Sequence, residues 1–203
     1  MLSLRRAEPS AATFERLLAA GFLDTAMADL LRRAARARRN ILVCGPAASG
    51  KTALLVALAR DREEVRVATV ARHRAFRSAA ATRVELVVQA DGASLPVLLS
   101  AAGGLRPELL VADSLRLEDI PALVERFARG PRGTIAALEP ATLAAGLSHA
   151  VDLVVRTARG RDGLCRIVSL QDASGTVLFA FDGGHFQRRG SDAAIAALAG
   201  TVR

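Results

Sequence analysis

One short stretch of the chain combines glycines, a lysine and a hydroxyl in the order that a phosphate-binding loop requires. Residues 45–52 complete the pattern G-x-x-x-x-G-K-[ST] and are Gly45, Pro46, Ala47, Ala48, Ser49, Gly50, Lys51 and Thr52. In such a loop the backbone N–H groups turn onto phosphate oxygens, the ammonium reaches the outer phosphates and the hydroxyl binds Mg²⁺. Lys51 is also the only lysine among 28 basic residues. The stretch therefore predicts a site for a nucleoside triphosphate.

The segments on both sides of this loop have the character that the motif needs. Residues 40–44 form a short apolar run typical of a buried strand, and residues 52–59 are predicted to form a helix. A helix that begins at the loop directs its positive dipole end at the bound anion. The order strand, loop and helix therefore supports phosphate binding over an ordinary glycine-rich turn.

A nucleotide site of this kind needs a second carboxylate, at the end of another strand, to help hold Mg²⁺. Asp113 follows the apolar run 109–112 and is the best candidate, together with Thr52. An aspartate at such a place is also common as a helix cap or turn residue, so that alternative stays open. The two residues predict the metal site.

The rest of the chain alternates between predicted helices and strands. Two helices, 10–20 and 24–39, precede the loop, and Asp24 or Thr25 is placed to cap the second. Further strands are predicted over 65–70, 84–89, 109–113 and 133–138, and further helices over 95–101, 120–128 and 140–146. Ser94 is placed to cap the helix over 95–101. Such alternation predicts a mainly parallel sheet wrapped by helices.

The last quarter of the chain predicts a different arrangement. Strands over 151–156, 164–170 and 176–181 are separated by glycine-containing turns, which indicates an antiparallel meander. A loose tail around 183–190 and a short helix over 192–198 follow. We therefore expect one domain, 1–203, with leading helices at 1–39, a nucleotide-binding core at 40–150, antiparallel strands at 151–182 and the tail at 183–203.

The composition of the chain indicates which classes of partner it can bind. The 203 residues are 51% hydrophobic but only 3% aromatic, so base-stacking platforms for single-stranded nucleic acid are scarce, although the net charge is +8. The only dense basic run, 32–39, is interpreted as the solvated face of a helix, with a subunit contact as the alternative. These features disfavour nucleic acid as a partner, and a nucleic-acid-stimulated ATPase remains the third and weakest hypothesis.

The cysteines and histidines do not have the spacing of metal ligands. Cys44 and Cys165 are interpreted as small buried hydrophobes, and His73, His149 and His185 as residues outside any site. No segment has the length of a membrane span or the apolar region of a signal peptide. We expect a cytoplasmic location, with any attachment to the inner membrane made through a partner.

Several segments resemble the secretion and pilus-assembly ATPases of type II and type IV secretion, and most closely the branch that serves Flp-type (tight adherence) pili. They are 21–31, 37–43, 105–111, 115–116, 130–135, 150–155 and 161–163. The resemblance implies an α/β fold with a RecA-like P-loop NTPase core, ATP and Mg²⁺ as cofactors, and a ring of identical chains or one shared with a full-length relative. It adds Arg116, matched to the family's arginine after the second nucleotide strand, to Lys51 and Asp113 as a catalytic residue that senses nucleotide or contacts a neighbour.

The chain departs from this family where the family performs its chemistry. The family's acidic pair falls on Ala71 and Arg72, its glutamate on Ser114, and its histidine near Glu139. The segment between residues 88 and 94 is short, which removes the place of an arginine that reaches a neighbouring nucleotide, and no segment resembles the family's amino-terminal domain.

Two hypotheses follow from these departures: an ATPase with slow turnover, or a regulatory module that binds ATP without hydrolysing it. Loss of a general base costs about 10²- to 10⁴-fold in rate, whereas phosphate binding depends mainly on the loop, the lysine and the metal. Glu118, Asp119 and Glu139 are candidate substitutes for the base. Capping of the following helix is the preferred interpretation for Glu118 and Asp119.

Overall fold

In the described part of the chain, two capped helices precede the sheet. A computed structural model describes residues 11–62, 64–76, 82–129, 133–139 and 150–200. Helix α1 spans Phe14–Ala19 and helix α2 spans Thr25–Arg36. The Asp24 carboxylate accepts a hydrogen bond from the Met27 backbone N–H at 2.7 Å, so Asp24 is the cap of α2.

Six parallel strands form the first part of the sheet, in the order β3-β2-β4-β5-β1-β6. In chain order they are β1 (Ile41–Cys44), β2 (Val67–Ala71), β3 (Arg83–Val87), β4 (Leu109–Leu115), β5 (Thr134–Leu138) and β6 (Leu153–Arg159). Strands β1, β2 and β5 are buried along their whole length, because helices cover both faces of the sheet.

Two apolar clusters fill the space between the sheet and its helices. The helices that follow the strands are α3 (Lys51–Arg60), α4 (Leu95–Gly104) and α5 (Ile120–Arg129). Alternate side chains of β1 point to opposite faces: Ile41 and Val43 join the cluster with α1, α2 and α3, and Leu42 and Cys44 join the cluster with α4 and α5. The sheet is therefore the middle layer of three.

Three antiparallel strands continue the sheet beyond β6. They are β7 (Cys165–Asp172), β8 (Val177–Phe181) and β9 (Phe186–Arg188), and helix α6 (Asp192–Ala199) then packs against α2. The predicted α/β fold, a mainly parallel sheet with a carboxyl-terminal antiparallel meander, is confirmed.

The prediction of a loose tail after β8 is wrong for its first part, because β9 pairs with β8 there. Gly183 adopts a φ of +76°, the backbone closes a turn with the Asp182 N–H donating to the His185 carbonyl, and the Phe186 ring lies 5.0 Å from that of Phe181. A turn of this shape favours glycine. Three polar and aromatic residues at a sheet edge give too short a pattern to predict a strand.

Other predicted bounds are corrected in detail. Helix α2 ends at Arg36 rather than at residue 39, because Arg38 has a φ of +54° and turns the chain toward β1. Ser94 occupies the position before α4 but its side chain makes no capping hydrogen bond. The helix predicted over 140–146 lies outside the described residues.

The basic run over 32–39 is a solvated face only in part: three of its five arginines are exposed, and the other two contact the rest of the protein. Arg32 pairs with Asp61 at 2.9 Å, and its guanidinium lies 4.5 Å from the centre of the Phe14 ring. Arg39 pairs with Asp152 at 3.5 Å and donates to carbonyl groups near the end of α6. The run thus ties the leading helices to the core.

Candidate nucleotide-binding site

The predicted phosphate loop connects β1 to α3 in a conformation that needs its glycines. Gly50 has a φ of +93°, and a Cβ atom there would lie 2.5 Å from Cε2 of Phe22. A Cβ atom on Gly45 would lie 2.4 Å from both the carbonyl oxygen and Oγ1 of Thr157. Ala48 also has a positive φ, of +57°. Both glycines are therefore required by close packing as well as by the motif.

The ammonium of Lys51 is turned back onto the loop. Its Nζ donates hydrogen bonds to the carbonyl oxygens of Gly45 at 2.9 Å and Pro46 at 2.8 Å, and it lies 3.5 Å from Oε1 of Glu139. The Lys51 side chain is only 8% exposed. A buried positive charge therefore sits inside the loop, as the motif requires.

Thr52 and Asp113 meet between the first turn of α3 and strand β4. The Thr52 hydroxyl donates to Oδ2 of Asp113 at 2.8 Å, and Asp113 is 3% exposed. Burial raises the pKa of the Asp113 carboxyl. Hydrogen bonds from the Thr52 side chain and the Ser114 backbone lower this pKa in part, as do the nearby basic groups of Lys51 and His73. His73, interpreted from the sequence as outside any site, is one of the basic residues that favour the charged form of this carboxyl.

These groups fit a magnesium nucleotide. A hydroxyl and a carboxylate oxygen are ligands that Mg²⁺ takes, and it commonly completes its shell with phosphate oxygens and water. Within the ranges that the structure describes, no group of three or more His, Cys, Asp or Glu side chains is arranged to hold a metal by itself. Thr52 and Asp113 are the residues of this site that could hold such a metal.

A buried pair of hydroxyls fixes the loop to strand β6, and sequence reasoning missed it. Oγ of Ser49 and Oγ1 of Thr157 are 2.7 Å apart, and Oγ1 of Thr157 also lies 3.3 Å from the carbonyl oxygen of Cys44. Thr157 follows an irregularity in the pairing of β6 with β7, which changes the register after Arg156. Thr157 lies in a strand of mixed apolar and basic residues, so the sequence carried no clear signal for this contact.

The two cysteines differ in their surroundings. Cys44 is buried in β1, and burial raises the pKa of its thiol to about 11, so the prediction of a small buried hydrophobe is confirmed. For Cys165 that prediction holds in part: the residue begins strand β7 and packs against the core, but it is only half-buried and its thiol donates to the carbonyl of Ala48 at 3.1 Å. Strand β7 therefore also contacts the phosphate loop.

The ends of β2 and β4 carry an ion pair where the resemblance places acidic residues. Nη2 of Arg72 lies 2.8 Å from Oδ2 of Asp119, and its Nε donates to the carbonyl of Ser114 at 3.2 Å. Asp119 is 2% exposed and also accepts the backbone N–H of Arg116 at 2.9 Å, so it caps the turn before α5. Glu118, 3.4 Å from Arg72, is mostly exposed.

The structure joins some predicted site residues and separates others. Lys51, Thr52 and Asp113 belong to one group around the loop, and Glu139 lies beside it. The Arg116 side chain is 66% exposed and lies 3.6 Å from Glu118 instead.

Within the described part of the chain, no helix combines the length and apolar character that crossing a bilayer requires.

Comparison with known proteins connects these features to a family. Residues 1–71 match the model of a family described as Type II/IV secretion system protein. A protein of Mycobacterium tuberculosis strain H37Rv, named as a conjugal transfer protein, is 31% identical over an aligned length of 209. The alignment covers 87% of this chain and 59% of the relative. Strain CDC 1551 has a relative with the same values. The chain thus spans less than two thirds of the length of these curated relatives.

Solved structures share the fold. The VirB11 ATPase of the Brucella suis type IV secretion system, in complex with sulphate, has a TM-score of 0.63 at 20% identity, over 86% of this chain and 65% of its own. The pilus retraction motor PilT with bound ADP has a TM-score of 0.57 at 14% identity, over 96% and 56%. The Legionella pneumophila ATPase DotB has the same TM-score at 13% identity, over 77% and 50%. The sequence match over residues 1–71 and the shared fold therefore bear out the resemblance of this chain to the type II/IV secretion system proteins.

Proposed function

We propose that this chain binds ATP with Mg²⁺ at the loop of residues 45–52. The observation that carries the proposal is the Thr52–Asp113 contact at 2.8 Å beside the buried ammonium of Lys51. In this assignment Lys51 and the backbone N–H groups of the loop hold the phosphates, and the hydroxyl and carboxylate hold the metal. The magnesium ion supplies charge neutralisation for the phosphates when bound.

We further propose that the domain serves a secretion or pilus-assembly machine of the type II/IV class, in the Flp-type branch. The matched family, the relative named for conjugal transfer and the structural likeness to VirB11 and PilT support this role. The domain would act in the cytoplasm, in a ring with copies of itself or with a full-length relative, on an inner-membrane component. The exposed guanidinium of Arg116 is accessible for a contact with such a neighbour.

Turnover is expected to be slow because the end of β2 provides a cation rather than a carboxylate. Arg72 engages Asp119, so that this acid is committed to an ion pair and to the Arg116 N–H. Glu139 is the acid nearest Lys51 among the described contacts, at 3.5 Å, and is the remaining candidate for orienting water. Loss of a positioned base costs about 10²- to 10⁴-fold in rate while leaving phosphate binding in place.

The same ion pair favours a second candidate function: a regulatory module that binds ATP without hydrolysing it. In that role the nucleotide stabilises one conformation of the domain, which then docks on the secretion machine. The two functions share the loop and differ in turnover.

Mg²⁺-dependent ATP turnover across a protein concentration series, beside Lys51→Ala prepared identically, tests the proposal. Turnover that rises cooperatively with concentration and vanishes in the variant supports an assembling ATPase. Binding of ATP by the wild type without turnover above the variant supports the regulatory module. A folded wild type that binds no more ATP than Lys51→Ala contradicts both functions.

A further inference from the structure

The ammonium of Lys51 has a full set of partners within the protein. A lysine ammonium has three protons to donate. In this chain they face the carbonyl oxygens of Gly45 and Pro46, at 2.9 and 2.8 Å, and the Glu139 carboxylate at 3.5 Å. A phosphate that binds Lys51 must therefore replace at least one of these partners.

Glu139 is the charged member of this set, and the backbone fixes its place. It follows Leu138, the last residue of β5, and Leu138 is paired with Cys44 at the end of β1. The phosphate loop starts one residue after Cys44. The carboxylate and the loop therefore leave adjacent strands at the same edge of the sheet.

We propose that Glu139 competes with nucleotide phosphates for Lys51 and weakens the binding of a nucleoside triphosphate more than that of a diphosphate. This inference rests on the proposed nucleotide site. The lysine of this motif reaches the outer phosphates, so a carboxylate at the same ammonium repels most strongly the outermost phosphate, which a diphosphate lacks. Glu139 would therefore set the ratio of the affinities of the site for a nucleoside triphosphate and a nucleoside diphosphate.

Exposure and burial determine the size of the effect. The Lys51 side chain is 8% exposed, so its charge is poorly hydrated and gains from a nearby anion. The Glu139 side chain is 57% exposed and can turn into water when a phosphate arrives. Glu139 therefore lowers affinity without closing the site, and without nucleotide it supplies the negative charge that the loop lacks.

The chain offers a matched control in the pair formed by Arg62 and Glu64. There too a glutamate, 61% exposed, contacts a cation that is 8% exposed, and the atoms lie 2.7 Å apart. Glu64→Gln removes the same charge from the same kind of pair, but at the end of α3 that lies away from the loop. Any change that it shares with Glu139→Gln reflects net charge alone.

The experiment measures the Kd of Mg²⁺-ATP and of Mg²⁺-ADP by calorimetry for the wild type, Glu139→Gln, Glu64→Gln and Lys51→Ala. We expect Glu139→Gln to tighten ATP binding about 5- to 10-fold and ADP binding about 2-fold, and Glu64→Gln to change either by less than about 2-fold. The gain for ATP should shrink at high salt, because part of the repulsion acts through solvent.

Two results overturn the inference while leaving the proposed function intact. The first is an ATP Kd that is the same for the wild type and for Glu139→Gln. The second is weaker ATP binding by Glu139→Gln, which would mean that the carboxylate helps to bind the nucleotide. A wild type and a Glu139→Gln variant that both bind no better than Lys51→Ala would instead remove the nucleotide site, and this inference with it. A gain that is larger for ATP than for ADP and absent from Glu64→Gln supports it.

Discussion

The phosphate loop and the end of strand β2 lie at the same edge of the parallel sheet, but they have kept different chemistry. The loop has its lysine, its hydroxyl and, on β4, a carboxylate in contact with that hydroxyl. The end of β2 has Arg72 where the resemblance expects an acid, and Asp119 pairs with it at 2.8 Å. The loop therefore retains the groups that the motif requires, whereas the end of β2 carries an ion pair where the resemblance expects acids.

The end of β2, which we call the altered end, has hydrogen-bond partners for its charged groups and is not a damaged site. Asp119 is 2% exposed and receives two charge-matched or capping hydrogen bonds, from Arg72 and from the Arg116 N–H. Arg72 in turn holds the carbonyl of Ser114, a residue with a φ of +60°. The two regions should consequently respond to mutation in different ways.

The largest expected effect comes from the loop. Lys51→Met keeps the length and apolar stem of the side chain but removes the ammonium, so ATP binding should weaken about 100-fold, since charged hydrogen bonds to phosphate are lost. The folded state should survive, because its present partners are two carbonyls and a half-exposed acid. Calorimetric Kd and thermal unfolding measure the two quantities. A large fall in stability with little change in Kd would reverse the roles assigned to the two regions.

The converse change is Arg72→Met at the end of β2. It leaves the buried Asp119 carboxylate without its cation, which should lower the free energy of unfolding by about 3 kcal/mol. The ATP Kd should remain within about 2-fold of the wild type at a temperature where the variant is folded. Urea unfolding measures the first quantity and calorimetry the second.

Arg72→Met with Asp119→Asn is the companion variant. Removing both charges should recover part of the lost stability, because no buried carboxylate is then left unpaired. A double variant as unstable as the sum of its two single variants would show that the pair is not coupled.

The difference between the two regions also explains what the sequence could predict. The loop was predicted because its residues are consecutive and their spacing carries the chemistry, and Asp113 because it ends an apolar run. The Arg72–Asp119 contact joins residues 47 positions apart, and Ser49–Thr157 joins residues 108 apart. Such contacts depend on strand order, which periodicity does not provide.

The fold shows the same limit. Long helices and apolar strands were predicted within a few residues, because each has a repeating pattern that reflects burial. Strand β9, with three residues at an edge, has no such pattern and depends on its pairing with β8. Arg116 was assigned from the resemblance alone, and the structure leaves its side chain 66% exposed.

A smaller effect is expected from the contact that holds the loop in place. Thr157→Val removes the buried hydroxyl that faces Ser49 at 2.7 Å but keeps the shape of the side chain. We expect ATP binding to weaken about 5-fold and the free energy of unfolding to fall by about 1 kcal/mol, because Ser49 loses a buried partner. Thr157→Ser retains the hydroxyl and should restore binding. If Thr157→Ser binds as weakly as Thr157→Val, a hydroxyl at this position does not restore the site and the hydrogen bond to Ser49 does not account for the loss.

The smallest expected effect lies at the altered end, in the backbone of Ser114. Its φ of +60° is accessible to glycine at little cost but strained for other residues, so Ser114→Gly should be more stable than Ser114→Ala by about 1 kcal/mol. Both variants lose the hydroxyl, and the comparison therefore isolates the backbone. Urea unfolding measures the difference in the free energy of unfolding. Equal values for the two variants would mean that the Ser114 backbone is not strained at this φ.

Neither variant should change the ATP Kd, because Asp113 reaches Thr52 through its own side chain. A shift in Kd that follows the change in stability would mean that the two regions are coupled through β4.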